Sequence, residues 1–233
     1  MKTTNNDPIV YHTFGHEGKT IIIYHGWGSS INTYRDFASN LAELGFRVVL
    51  PELTYHDSRG AFEQPFLREV TQRYFWKTIF QSIDEAPALV KELQISTDEI
   101  ILFGSSMGGF IASGIASNHP EIAGLISVNS SGSFLITEGI FRKNDGRPEL
   151  NQDEKRVLNT YDPIEKKSNP SSVLLMHGKE DQVISIEGQL DYYKTMKSRG
   201  ADITFLTYEH VNHKMSDNMI DDMNQWLIQN FKE

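Results

Sequence analysis

The strongest chemical signal in the sequence is a serine between two glycines, in the pentapeptide GSSMG at residues 104–108. An apolar run, residues 100–103, comes directly before it, and an apolar pattern with helical spacing begins at Met107. The two glycines allow the chain to turn sharply from a strand into a helix, with the hydroxyl of Ser106 exposed in a strained conformation. This context predicts a nucleophilic Ser106. Ser105 is the weaker candidate, because it has no glycine two residues before it.

A serine hydroxyl needs a neighbouring imidazole to accept its proton before it can attack an acyl group. The sequence has eight histidines, and two of them, His210 and His213, follow the last apolar run at residues 203–208. His213 is the preferred base, because it lies at the entry to a helical pattern over residues 215–231. His210 is the alternative.

A base of this kind is usually oriented by a carboxylate that also stabilises its charged form. Asp181 ends the segment VLLMHGKED, residues 173–181, in which a continuous apolar run is followed by a polar turn. Asp181 is therefore expected at the carboxyl end of a buried strand, where α/β sheets gather their functional groups. Its neighbour Glu180 is expected to face outward, and Asp162 and Asp202 are weaker rivals.

Attack on an acyl carbonyl creates an oxyanion, which needs two N–H donors already in position. The segment YHGWG, residues 24–28, follows an apolar run, and its glycines allow close approach of the backbone to a substrate. We expect the backbone amides of Trp27 and Met107 to be these donors, with the Trp27 indole as a pocket wall.

Short apolar runs alternate with amphipathic helical patterns along the chain. Three of the runs are continuous rather than alternating, as is typical of strands covered on both faces. The alternation predicts an α/β fold with a mostly parallel central sheet and helices on both faces. The strand-like runs are residues 9–14, 20–24, 46–50, 100–103, 124–129, 173–176 and 203–208, and the helical patterns are 33–44, 78–93, 107–118, 186–198 and 215–231.

Two stretches, residues 55–73 and 133–167, fit this alternation poorly. The second has a short helical candidate at residues 153–160. Long segments of this kind within a compact domain are usually functional or mobile, and 133–167 is a possible small lid over the strand ends.

The composition sets limits on partners and location. The chain of 233 residues is expected to form one domain, 1–233, and its 31 acidic against 22 basic residues give a net charge of −9. This charge makes nucleic acid an unlikely partner. There are no cysteines, no HExxH metal motif and no apolar stretch approaching the ~20 residues of a membrane span. Because the N-terminal residues also lack a secretory signal pattern, we expect a cytoplasmic protein without a metal.

The motifs together resemble the α/β-hydrolase superfamily over nearly the whole chain, and more closely the small bacterial esterases grouped with prolyl-oligopeptidase-like hydrolases. The order serine, aspartate, histidine along the chain is that of α/β-hydrolases. The segment at 50–60 resembles a conserved turn of these proteins in altered form. The segments that carry the resemblance are HGWG at 25–28, GSSMGG at 104–109, HGKED at 177–181 and VNHKMS at 211–216.

The resemblance implies Ser106 as nucleophile, His213 as base, Asp181 as the orienting acid, and the Trp27 and Met107 amides as the oxyanion hole. It also implies an esterase that acts on a small-molecule acyl substrate without a cofactor. A fold of this kind does not determine the substrate. A non-catalytic binding protein, an acyltransferase or a peptidase using the same site are therefore the alternatives, and the sequence does not indicate an oligomeric state.

Overall fold

The structure, a computed structural model, describes residues 9–166 and 172–232. Its centre is a seven-stranded sheet in the order β1-β3-β2-β4-β5-β6-β7, in which β1 alone pairs antiparallel, with β3. The strands are β1 Tyr11–Phe14, β2 Thr20–Tyr24, β3 Arg47–Pro51, β4 Ile100–Ser105, β5 Gly124–Val128, β6 Ser172–Gly178 and β7 Ile203–Tyr208. The α/β class predicted from the continuous apolar runs is confirmed.

Helices surround the sheet, and in the part of the chain that the structure describes three 3-10 segments lie in the connections between elements. The helices are α1 Arg35–Glu43, α2 Arg68–Leu93, α3 Met107–Asn118, α4 Phe134–Asp145, α5 Gln152–Tyr161, α6 Ile186–Ser198 and α7 Asp217–Phe231, and the 3-10 segments are Ile31–Tyr34, Thr97–Glu99 and Pro163–Glu165. Within the described ranges, none of these helices is both long and apolar enough to cross a bilayer.

Side chains of the central strands enter two separate apolar layers, one on each face of the sheet. In β2, Ile22 packs into the layer that also contains apolar residues of α2 and α3, whereas Ile21 and Ile23 pack into the layer beneath α1 and α7. This explains why the run IIIY shows no polar alternation: both faces of the strand are covered.

Some predicted boundaries were wrong. The helix expected over residues 78–93 begins ten residues earlier, at Arg68. Residues 133–167 contain two helices, α4 and α5, and the second includes the predicted helix at 153–160. The edge strand expected at 9–14 begins at Tyr11. Lys167 and the N-terminal residues 1–8, on which the prediction of no secretory signal rests, lie outside the described residues.

The strand order reverses next to β2, and this reversal creates the place for a site. The chain runs from β2 to β3 on one side and then returns to form β4 on the other side of β2. The loops that follow β2 and β4 therefore diverge, which opens a crevice at the carboxyl ends of these strands.

Candidate active site

Ser106 lies at the turn between β4 and α3 with the strained backbone that its glycine context predicts. Its φ is 54° and its ψ is −125°, a backbone conformation that residues other than glycine rarely adopt. The glycines two residues before and two residues after Ser106 both lie against neighbouring backbone. A Cβ on Gly104 would lie 2.0 Å from the Gly108 carbonyl oxygen, and a Cβ on Gly108 would lie 1.8 Å from that of Tyr24. Only glycine fits at either position.

His213 reaches Ser106 from the loop between β7 and α7. Its Nε2 lies 2.8 Å from Ser106 Oγ, and its Nδ1 lies 2.7 Å from Asp181 Oδ2. Because a carboxylate only accepts hydrogen bonds, Nδ1 donates to Asp181, and Nε2 is left to accept the hydroxyl proton of Ser106. The ring is thus held in the tautomer required of a base.

The Asp181 side chain is almost completely buried, with 1% of its surface exposed, and all its hydrogen-bond partners are donors. Oδ1 accepts from the Val183 and Ile184 amides, each at 2.9 Å, while His177 Nε2 lies 3.5 Å from Oδ2. Burial alone would raise the pKa of Asp181, but hydrogen bonds from His177, His213 and the Ile184 amide outweigh it and hold the pKa below its usual value. Asp181 is therefore a carboxylate.

The rival residues have other contacts. The His210 side chain is 90% exposed and pairs with Glu180 at 2.9 Å. Asp162 accepts from the Leu135 and Ile164 amides at 3.0 and 3.3 Å. Asp202 accepts from the Ser172 hydroxyl at 2.9 Å. The structure thus brings Ser106, Asp181 and His213 together.

The residues expected to supply the two N–H donors are the neighbour of Ser106 in the chain and a residue of the loop after β2. Met107 is the first residue of α3, and the first N–H groups of a helix have no partner within it. On the other side, the loop after β2 approaches the serine closely. A Cβ on Gly26 in this loop would lie 3.4 Å from Ser106 Cβ and 3.8 Å from its Oγ. Trp27 follows Gly26 directly, and its indole donates to the Pro65 carbonyl at 2.9 Å. The assignment of the Trp27 and Met107 amides as the oxyanion donors stays a prediction, which the close approach of Gly26 to Ser106 supports.

Asn129, which the sequence analysis did not single out, connects the loops that carry Asp181 and His213. Its φ is 46°, its Oδ1 accepts from the Gly178 amide at 2.9 Å, and its Nδ2 donates to the Lys214 carbonyl at 2.9 Å. The only sequence signal for it is a polar residue at the end of a predicted strand, residues 124–129. His177, whose Nε2 faces Asp181, likewise has no sequence signal beyond its place at the start of the polar turn after a predicted strand.

A cavity of about 720 Å³ opens beside Ser106 and His213. Aromatic and aliphatic side chains form much of its wall, and polar and charged side chains form the rest. The apolar lining includes Trp27, Phe66, Phe75, Trp76, Phe141, Val183, Ile184 and Met215.

Three of the charged side chains that line the cavity pair with one another. Glu138 accepts from the Trp76 indole at 2.8 Å and from Arg147 at 2.9 Å, and Arg147 also donates to Asp145 at 3.0 Å.

A second cavity, of about 310 Å³, is lined by residues of α2, α3 and the central strands. Ser106, Asp181 and His213 are not among its lining residues. Among the described residues, no group of three or more acidic or histidine side chains is arranged to hold a metal ion.

This sheet order, with a strained serine after β4, defines the class of α/β-hydrolases. The structure is similar to that of TT1662 from Thermus thermophilus, with a TM-score of 0.69 and 15% identity over 95% of this chain and 93% of that one. The chain belongs to the prolyl oligopeptidase family, whose model matches residues 33–233.

Two curated proteins of similar length align with most of the chain. Esterase YjfP of Escherichia coli (strain K12) is 28% identical over 216 residues, which cover 86% of this chain and 84% of that protein. The putative esterase YitV of Bacillus subtilis (strain 168) is 28% identical over 213 residues, covering 84% and 82%.

Proposed function

We propose that this protein is a serine esterase that hydrolyses carboxylic esters of small molecules, with Ser106 as nucleophile, His213 as base and Asp181 as the orienting acid. The observation that carries the proposal is the continuous hydrogen-bonded chain from Ser106 Oγ through His213 to Asp181, with links of 2.8 and 2.7 Å. The names of the similar proteins YjfP and YitV, both of which include the word esterase, support the choice of an ester as substrate.

The reaction follows from the positions of the donors and acceptors. His213 Nε2 takes the proton of Ser106, whose Oγ bonds to the acyl carbon, while the Trp27 and Met107 amides stabilise the oxyanion. The oxyanion collapses, the bond to the alcohol oxygen breaks, and His213 protonates the departing alcohol. Water then loses a proton to His213 and attacks the acyl-enzyme. Collapse of this second oxyanion releases the carboxylic acid and returns the proton to Ser106.

The lining of the cavity favours a substrate that is recognised through an apolar acyl group. Its aromatic lining adjoins the reacting serine, and Glu138 and Asp145 in its wall already pair with Arg147. Burial of apolar surface contributes about 25 cal/mol per Å², so each added methylene that fits the cavity strengthens binding.

A cytoplasmic location remains a prediction from the sequence, which cell fractionation tests.

Turnover of p-nitrophenyl butyrate by purified protein tests the proposal. We expect Ser106→Ala to lower kcat by about 10⁴-fold or more, because no other group replaces the nucleophile. Ser105→Ala is the matched control, since it removes the neighbouring hydroxyl and should retain most of the activity. Unchanged turnover in the Ser106 variant would contradict the proposal. Transfer of the acyl group to an added alcohol in preference to water would identify an acyltransferase instead.

A further inference from the structure

The segment between β3 and α2 contains two strained residues on either side of a buried histidine. Tyr55 and Asp57 have φ values of 65° and 47°, although neither is glycine, and His56 between them is only 3% exposed. Such strain persists only where the surrounding structure imposes it, and it concentrates at functional sites. The position of this segment beside the loop after β2 suggests what the strain achieves.

His56 bonds directly to the loop that carries Trp27. Its Nε2 accepts from the Gly28 amide at 3.1 Å, and its Nδ1 faces the Thr54 carbonyl oxygen at 3.0 Å. An N–H group requires an acceptor, so Nε2 has no proton and Nδ1 donates to Thr54. The edge-on Trp27 ring lies 5.2 Å from the imidazole, centroid to centroid. His56 therefore fixes both the backbone after Trp27 and one side of its indole.

Asp57 holds the same loop at two further points. Its two carboxylate oxygens lie 3.2 and 3.4 Å from the Ile31 amide, which donates to them. Its Oδ2 also lies 3.5 Å from Nε2 of the buried His25. Hydrogen bonds thus hold the loop over residues 25–31 at its middle and its end, and Asp57 contacts it near its start. Gly26 within this loop packs against Ser106.

The charge states suit these contacts. Burial, and then the neighbouring His25, lower the pKa of His56 to about 4, so the Nε2 lone pair is available at neutral pH. Burial alone would raise the pKa of Asp57, but the interaction with His25 and the hydrogen bond from the Ile31 amide lower it. His25 and Asp57 are the titratable groups that face His56.

We propose that His56 and Asp57 are positioning residues that hold the Trp27 amide where the oxyanion forms. This inference rests on the proposed esterase function. Neither His56 nor Asp57 lines the cavity beside Ser106, so we expect them to act on the transition state through the loop. A displacement of about 1 Å in a group of this kind can reduce the rate about 10²-fold. Loss of either attachment should therefore lower kcat and leave KM nearly unchanged.

Two pairs of variants separate this role from a general effect on folding. His56→Leu removes the acceptor for the Gly28 amide, whereas His56→Gln keeps an acceptor atom at a similar reach. Asp57→Gly removes the carboxylate but tolerates the positive φ, whereas Asp57→Asn tolerates the same φ and keeps one acceptor. Ser58→Ala is the control, because the Ser58 hydroxyl donates to Glu52 rather than to the loop.

The measurement is kcat and KM on p-nitrophenyl butyrate, normalised to titrated active sites, with the inhibition constant of a trifluoromethyl ketone that mimics the oxyanion adduct. We expect the Leu and Gly variants to lose about 10- to 100-fold in kcat, with a parallel weakening of the inhibitor. The Gln and Asn variants should recover most of the loss, and Ser58→Ala should match wild type.

Equal kcat in wild type and both disruptive variants, or equal losses within each pair, would overturn the positioning role while the esterase function stands. A wild-type protein that neither turns over the ester nor binds the ketone would overturn both proposals. Because kcat is counted per titrated site, a variant that folds poorly loses sites rather than kcat.

Discussion

Asp181 faces more hydrogen-bond donors than it needs in order to orient the imidazole of His213. Two backbone amides occupy Oδ1, while His213 and His177 both face Oδ2. The amides keep the carboxylate in one orientation, and the hydrogen bonds together lower its pKa in spite of burial. The negative charge is therefore present when His213 takes the proton of Ser106, and it stabilises the imidazolium that results.

Replacement of Asp181 by asparagine should affect the rate far more than the fold. An amide at this position has nearly the same shape but offers an N–H to His213, which favours the wrong tautomer of the ring. We expect kcat on p-nitrophenyl butyrate to fall about 10³- to 10⁴-fold, as for the equivalent change in the Ser-His-Asp template. Asp202→Asn is the control and should retain wild-type kcat. A loss below tenfold in the Asp181 variant would contradict the assigned role.

Residues near the ends of recognisable motifs were predictable from the sequence, and residues that act through distant contacts were not. Ser106 is specified by its glycines, and His213 and Asp181 by the runs that precede them. His56 gains its importance from Gly28, 28 residues away, and Asn129 from Lys214, 85 residues away. No local pattern encodes these contacts, because they depend on how the strands are ordered.

At the scale of elements, the turn from β4 into α3 depends on how closely α3 approaches β2. Gly108 is the residue at this contact, and a Cβ there would overlap the Tyr24 carbonyl. Such an overlap involves backbone on both sides and is not relieved by a side-chain rotation. The contact holds Met107 and Ser106 beside the loop that follows β2.

Two glycines within helices provide a matched test of this contact. Gly108→Ala should lower the free energy of unfolding by about 3 kcal/mol or more, because the backbone must shift to admit the methyl group. Gly139→Ala, within α4, meets nothing within 4 Å and should raise it by about 0.5–1 kcal/mol. Urea denaturation followed by circular dichroism measures both. A neutral Gly108 variant would show that the close approach is not essential.

The elements predicted least well are those with weak apolar periodicity. The first turns of α2 are largely exposed, so residues 68–77 lack the regular apolar spacing that identifies its later part. Helix α4 contains β-branched residues and Gly139, which lower its intrinsic preference for helix. Its packing compensates: Phe134 at its start is fully buried, and Glu138 binds the Trp76 indole. Whether residues 133–167 act as a lid stays a prediction.

At the scale of the whole molecule, the fold class was predictable because continuous apolar runs require cover on both faces of the sheet. The strand order was not encoded in those runs. It places β2 between β3 and β4 and so brings the loop after β2 beside Ser106. The assignment of the entire chain 1–233 to one domain stays a prediction, since residues 1–8 and 167–171 lie outside the described part.

Buried His56 should make stability depend on pH in the acid range. Its pKa falls from about 6.5 to about 4 on folding, so its contribution is complete above pH 6.5 and is lost as the pH falls towards 4. At about 1.4 kcal/mol per pKa unit, the loss amounts to about 3 kcal/mol. Glutamine does not titrate, so only the wild-type protein loses this contribution. The unfolding free energy of wild type minus that of His56→Gln should therefore fall by that amount between pH 7 and pH 4. A constant difference would contradict the lowered pKa.

The central claim is that His213 and Asp181 make the hydroxyl of Ser106 reactive beside the Trp27 and Met107 amides. Reaction with a fluorophosphonate, followed by mass spectrometry of the peptides, tests it most directly, because such reagents label activated serines. We predict one phosphonyl group, on Ser106, in wild type, and its absence in the His213→Ala variant. Labelling of another residue, or equal labelling rates with and without His213, would contradict the account.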